Sequence, residues 1–242
     1  MPAMTTDPQR PVGPRVDSWT PPPAPTGEVL TGNYARLEPL SADRHGAHLF
    51  QAYRGNDAVW DYLPYGPFAA AAPYHRWLRE VEGGSDPLFY AVQDLETGAW
   101  GGVASFLRVQ PAAGSIEVGH INFSPILQRT RAATEAMALM MGWAFDVGYR
   151  RYEWKCDALN RPSRLAAQRL GLSYEGVFRQ ATIVKGRNRD TAWFAAIDKE
   201  WSGLREAFRA WLAPSNFDAG GGQIERLSDL TALVRTGSDP TL

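Results

Sequence analysis

A single cysteine, Cys156, in 242 residues excludes an intramolecular disulfide and any cysteine-rich metal centre. It fits a reducing, cytoplasmic setting. Histidine is nearly as sparse. His45, His48, His75 and His120 show no zinc spacing, and no third ligand lies near the His45 and His48 pair in sequence, so no metal is expected. No apolar run approaches the length of a membrane span, and the N-terminus lacks the basic-then-apolar pattern of a secretory signal, so no membrane partner is expected. Charge of one sign is missing too. A formal net charge of −1 leaves no basic excess to displace counterions, which argues against nucleic acid as a partner. The chain also has no Gly-rich phosphate loop ending in Lys-Ser/Thr and no acidic metal pair after a strand, which excludes a P-loop nucleotide enzyme.

What is present is an ordinary globular balance, 44% hydrophobic and 21% charged. Residues 1–27 hold eight of the eighteen prolines and read as an extended arm, ordered only if it docks on something. Residues 28–213 carry the periodic segments, and residues 214–242 read as a C-terminal tail. Within the central part, residues 34–40 alternate as a strand, and 41–53 and 72–82 have helical spacing. Residues 88–94, 101–110 and 115–123 are strands, the first two joined by a turn at Gly98. A helix over 131–145 follows, then a strand at 150–159, a helix over 160–170 closed by Gly171, two strands around the 185–190 hairpin loop, and a last helix over 199–212. The order predicts one mixed α/β sheet. The 131–145 helix is the crossover between two parallel neighbours.

That helix presents Ala133, Met137, Met140 and Ala144 on one face as a core stripe. Its start differs: Gln128, Arg129, Thr130 and Arg131 are all polar, with no acidic residue to complement the helix dipole. Free backbone N–H groups with two arginines suit phosphate oxygens. The same pattern also serves a solvated helix start.

The strand EVGHINFSP, the loop Gln128–Ala133, Asn160 and Ser163 as Asn-x-x-Ser, the GLSYEG turn with Arg179, and GRNRDTAWF before a closing EW come in an order that resembles the GNAT superfamily of N-acetyltransferases. Over residues 33–201 the likeness is greatest to its RimJ/RimL-type branch. The resemblance implies an α+β GNAT fold: a mixed, mostly antiparallel sheet with a central splayed parallel pair and helices on both faces. It also implies acetyl transfer from acetyl-CoA to a primary amine, namely a small amine, an amino-acid derivative or a protein N-terminus. A second class, a catalytically silent acyl-CoA-binding protein, shares the fold and ligand.

On that resemblance, Gln128, Arg129, Thr130, Arg131, Ala132 and Ala133 form the pyrophosphate loop, with Arg131 where the family has its first glycine. Such a residue fits only if its φ is negative and its side chain points outward. Ile121 and Phe123 lie on the strand that meets the thioester. Asn160 contacts CoA, and Ser163 is placed near its thiol as a candidate acid. Glu117 and His120 are candidate bases, and strand alternation puts them on opposite faces. Thr182 stands where the ribosomal-protein branch carries a glutamate. Trp60, Tyr62, Tyr65 and Phe68 border the acceptor groove. The arm and the 185–190 hairpin are able to reach a second copy, so a homodimer is expected as possible.

Overall fold

The computed structural model describes residues 11–242. One eight-stranded sheet has the order β1-β2-β3-β4-β5-β6-β8-β7. Its strands are β1 (Leu30–Thr31), β2 (Ala35–Pro39), β3 (Leu88–Asp94), β4 (Trp100–Gln110), β5 (Ser115–Phe123), β6 (Arg151–Asp157), β7 (Ser173–Val184) and β8 (Arg187–Ile197). The helices are α1 (Ala42–Tyr53), α2 (Ala71–Val81), α3 (Arg131–Asp146), α4 (Arg161–Arg169), α5 (Asp198–Leu212) and α6 (Leu227–Ala232). Every strand pairing is antiparallel except β5 with β6. The sheet and its central parallel pair are therefore as the sequence led one to expect. Strand β1, a one-turn 3₁₀ helix at Asp57–Trp60 and helix α6 are additions. All three are shorter than the window over which periodicity accumulates.

Two cores flank the sheet. Helices α3 and α5 cover one face, where Ala132, Ala136, Met140 and Ala144 of α3 pack on Ile116, Val118, Tyr152 and Trp154. Helices α1 and α2 cover the other face of β2–β4 with an aromatic cluster of Tyr53, Trp60, Tyr74, Trp77 and Phe89. Glu135 ties α3 to the sheet edge. Its buried carboxylate accepts from the backbone amides of Asn33 (2.9 Å), Tyr34 (2.6 Å) and Ala35 (2.7 Å). A Cβ at Gly32 would collide with that carboxylate.

Both ends of the chain dock on this body. In the arm, Trp19 Nε1 donates to the Gly148 carbonyl at 3.0 Å, and Tyr149 Oη donates to the Pro23 carbonyl at 3.1 Å. Residues 1–10 of the arm lie outside the described residues. Beyond α5, Leu227 and Thr231 are fully buried and Arg164 pairs with Asp239. At the hairpin between β7 and β8, Lys185 Nζ donates to the Trp60 carbonyl at 2.8 Å, while Ile183 stays exposed.

Candidate active site

The parallel pairing is short. Register runs only from Ser115 opposite Arg151 to Val118 opposite Trp154. Strand β5 then continues five residues without β6, so the two strands part and a gap opens at their carboxyl ends. Each strand leads at that same edge into a helix, β5 into α3 and β6 into α4. Two helix N-termini, with their positive dipole ends, thus border one crevice, and at α4 the amides of Arg161, Ser163 and Arg164 are already accepted within the chain. The crevice is a groove of about 1710 Å³, lined among others by Ile121, Phe123, Gln128, Arg129, Thr130, Arg131, Ala133, Asn160 and Ser163. Of the loop residues singled out in the sequence, Ala132 alone is turned away, its methyl fully buried in the core.

Thr130 caps α3, its Oγ1 accepting from Ala133 N at 3.0 Å. Among the described residues no acceptor meets the amides of Arg129, Arg131 and Ala132. Arg129 carries φ of 63°, a left-handed backbone that side chains rarely adopt. Arg131 is the first helical residue, with negative φ, so no glycine is required there. Its guanidinium is held by Glu96 at 2.6 Å and sandwiched between the rings of Tyr34 and Phe217 at 4.7 and 4.8 Å. Its charge is shared with Glu96 rather than offered wholly to the groove. Arg129 and Arg161 line the groove with no carboxylate partner among the described residues. Arg169, also in the wall, bonds Thr134 Oγ1 at 3.1 Å and lies over the Trp211 ring.

Asn160 caps α4 by accepting from Ser163 N at 3.1 Å, and Ser163 Oγ accepts from Trp154 Nε1 at 3.0 Å. Burial pushes the neighbouring Cys156 thiol up to about 11, which leaves it a packed apolar group. The sequence reading missed one wall of the groove: Phe217, Gly221 and Gln223, beyond α5, line it. Gln223 is fixed there by Trp211 Nε1, which donates to its Oε1 at 2.7 Å.

The far side of β5 holds the second group of candidates. Strand alternation would set Glu117 and His120 on opposite faces, but β5 carries an extra residue between Gly119 and Asn122 relative to β4. His120, at φ of 50°, is in this bulge. The bulge resets the alternation, and His120 joins Glu117 on the face away from α3. There it packs on Phe89 and stacks on Tyr65, whose Oη is 3.1 Å from Nδ1. Burial drives the imidazole down to about 4, and the guanidiniums of Arg108 and Arg189 push it the same way. His120 is therefore neutral at pH 7. Glu117 is buried in a charged cluster, 2.7 Å from Arg108 and 2.8 Å from Lys155.

The four loop aromatics divide. Tyr62 lines the groove and donates to the Leu159 carbonyl at 3.3 Å. Tyr65 meets His120. Trp60 and Phe68 pack edge-on against each other at 5.3 Å within the aromatic core, with Tyr74 and Trp77. Gly66 lets the loop pass against Trp60, because its φ is 65° and a Cβ there would strike the indole.

The family model for the acetyltransferase (GNAT) domain matches residues 35–173. The fold is similar to a GCN5-related N-acetyltransferase from Brucella melitensis, with 45% identity, a TM-score of 0.87, and 90% of this chain and 100% of that one covered. It is also similar to a probable acetyltransferase of the GNAT family from Chromobacterium violaceum ATCC 12472, with 42% identity, a TM-score of 0.74, and 81% and 100% covered. An acetyltransferase from Salmonella typhimurium that modifies the N-terminal serine of ribosomal protein L7/L12 is 19% identical, with a TM-score of 0.60 and 70% and 99% covered; that likeness extends to the fold. No curated protein matches the chain.

Proposed function

Because the chain belongs to the GNAT acetyltransferase family, we propose that it moves an acetyl group from acetyl-CoA to a primary amine by direct attack in a ternary complex. The observation that carries this reading is the groove at the parting of β5 and β6. Unaccepted amides at Arg129, Arg131 and Ala132, beside the unpaired Arg129 and Arg161, fit the oxygens of a pyrophosphate. Gln128, Thr130, Ala133 and Asn160 complete that wall. A groove of about 1710 Å³ exceeds the roughly 300–1,000 Å³ of a drug-sized pocket and suits a long ligand. Acetyl-CoA supplies the thioester; the chain supplies position and proton transfer.

An amine must lose a proton to attack, and its nitrogen grows far more acidic as the new bond forms, so even a weak base helps. His120 is our choice. In the tautomer where Nδ1–H donates to Tyr65 Oη, Nε2 has a free lone pair for the amine proton. Glu117 already has its charge engaged by Arg108 and Lys155, and it serves better to orient that cluster. In the balanced step a C–N bond forms and the C–S bond breaks. One amine proton passes to Nε2 and the leaving thiolate takes a proton. Ser163 is our candidate for that donor: its oxygen accepts from Trp154 Nε1, and its hydroxyl hydrogen, now directed at the Cys156 sulfur, would turn to the thiolate. The motif order favours the RimJ/RimL-type branch, with a small amine or peptide N-terminus as acceptor.

The test is thiol release from acetyl-CoA across a panel of amines, beside a calorimetric titration of acetyl-CoA. Saturable binding and amine-dependent thiol release are expected. Binding with no release from any amine would favour the silent acyl-CoA-binding reading instead.

A further inference from the structure

The acceptor side of the site has an unbalanced donor that narrows the choice of amine; this step rests on the acetyl-transfer reading above. By register and alternation, Arg189, Thr191 and Trp193 of β8 lie on the same face as Lys155 and Glu117. The charges of this patch mostly cancel. Glu117 pairs with Arg108 and Lys155, Glu153 with Arg151 and Lys155, and Glu175 with Arg151.

Arg189 is the exception. Its cross-strand neighbour is the uncharged Thr182. The adjacent Asp190 is occupied by Gln180 N at 2.7 Å and Asn188 Nδ2 at 2.9 Å, and Asp157 accepts from Leu159 N at 2.8 Å. Arg189 Nε is buried and meets no acceptor among the described residues. The same holds for Trp193 Nε1, on the same strand face. Buried donors without acceptors are rare in folded chains, and a ligand oxygen is one way to complete them. Arg189 also lies on the sheet face to which the bulge turns His120.

We propose that the acceptor carries a carboxylate beside its amine, an amino-acid-class substrate, with the carboxylate on Arg189 and the amino nitrogen toward His120. A bare alkylammonium would add a second unpaired cation beside the Arg189 guanidinium and a neutral imidazole. A zwitterion brings its own anion to that guanidinium.

The test offers each of the twenty amino acids and its C-terminal amide to wild type, Arg189→Gln and Arg189→Lys, with thiol release as readout. We expect at least one amino acid to exceed its amide tenfold or more in kcat/KM, chiefly through KM. The ratio should collapse to within about twofold in Arg189→Gln and recover in part in Arg189→Lys. Calorimetry of the matching N-acetyl amino acid should show binding at least tenfold weaker in Arg189→Gln, a readout independent of turnover. The inference is overturned if amides match their acids, if the preference survives Arg189→Gln, or if no amino acid is turned over while other amines are. Those results leave acetyl transfer standing, whereas failure to bind acetyl-CoA would remove both.

Discussion

The groove at the starts of α3 and α4 and the side-chain cluster around His120 lie on opposite sides of β5, and they are assembled differently. The groove's donors are local. Gln128 to Ala133 form one contiguous loop, Asn160 and Ser163 form one helix turn, and backbone amides supply much of the chemistry. The cluster draws Tyr65, Arg108, His120 and Arg189 from four separate segments, and each is aimed by tertiary structure. The first kind of site tolerates sequence change, because an amide is the same whatever side chain it bears. The second depends on every side chain, so it is where acceptor choice would be set.

Removing Glu135 should have the largest effect, because it loosens the helix whose start forms the groove's wall. Glu135→Ala leaves three amides without their buried acceptor and frees α3 from the sheet edge. A stability loss of about 3 kcal/mol or more is expected. A urea midpoint shift worth under about 1 kcal/mol would deny the anchor.

Substitution at His120 addresses the second cluster alone. His120→Gln should lower kcat about 100-fold, the usual scale for a lost general base, with acetyl-CoA affinity kept. Stability gives a second readout. The folded imidazole titrates near 4, below its ordinary 6.5, so the unfolded chain takes up the proton first as pH falls. The contribution is therefore complete above about pH 6.5 and drains away toward pH 4. Between those values wild type should lose about 2 kcal/mol more than His120→Gln. Equal losses would mean that the ring is not held neutral.

Arg129→Gly reports on the groove alone, and its two effects have opposite signs. Relief of the left-handed backbone should stabilise the fold by about 1 kcal/mol. Loss of the unpaired guanidinium should weaken acetyl-CoA about tenfold, or about 1.4 kcal/mol. The smallest effect is expected at Asn160, where capping and ligand contact separate. Asn160→Asp should keep the cap of α4 and weaken acetyl-CoA, whereas Asn160→Ala should also cost about 1 kcal/mol of stability. If Asn160→Asp binds as wild type does, the residue only caps.

Most of the sheet was legible because its strands and crossover helices are long and periodic. The groove was legible because its residues are consecutive and mark helix starts. The cluster around His120 was not. The bulge at His120 and the left-handed residue at Arg108 leave no mark on the hydrophobic pattern, and they turn these two side chains to the face where they act. Trp60 and Tyr65 share one aromatic loop, yet one fills the core and the other meets His120; composition does not distinguish them. The segment holding Phe217 and Gln223 is rich in glycine and polar residues, and only its contact with Trp211 makes it a wall of the groove.

The central claim is that the groove holds acetyl-CoA while the cluster around His120 works on the acceptor. Calorimetric titration of acetyl-CoA into wild type, Arg129→Gly and His120→Gln tests it most directly. The account predicts saturable binding to wild type, about tenfold weaker binding to Arg129→Gly, and undiminished binding to His120→Gln. Equal affinity for wild type and Arg129→Gly, or loss of binding in His120→Gln with the fold intact, would contradict it.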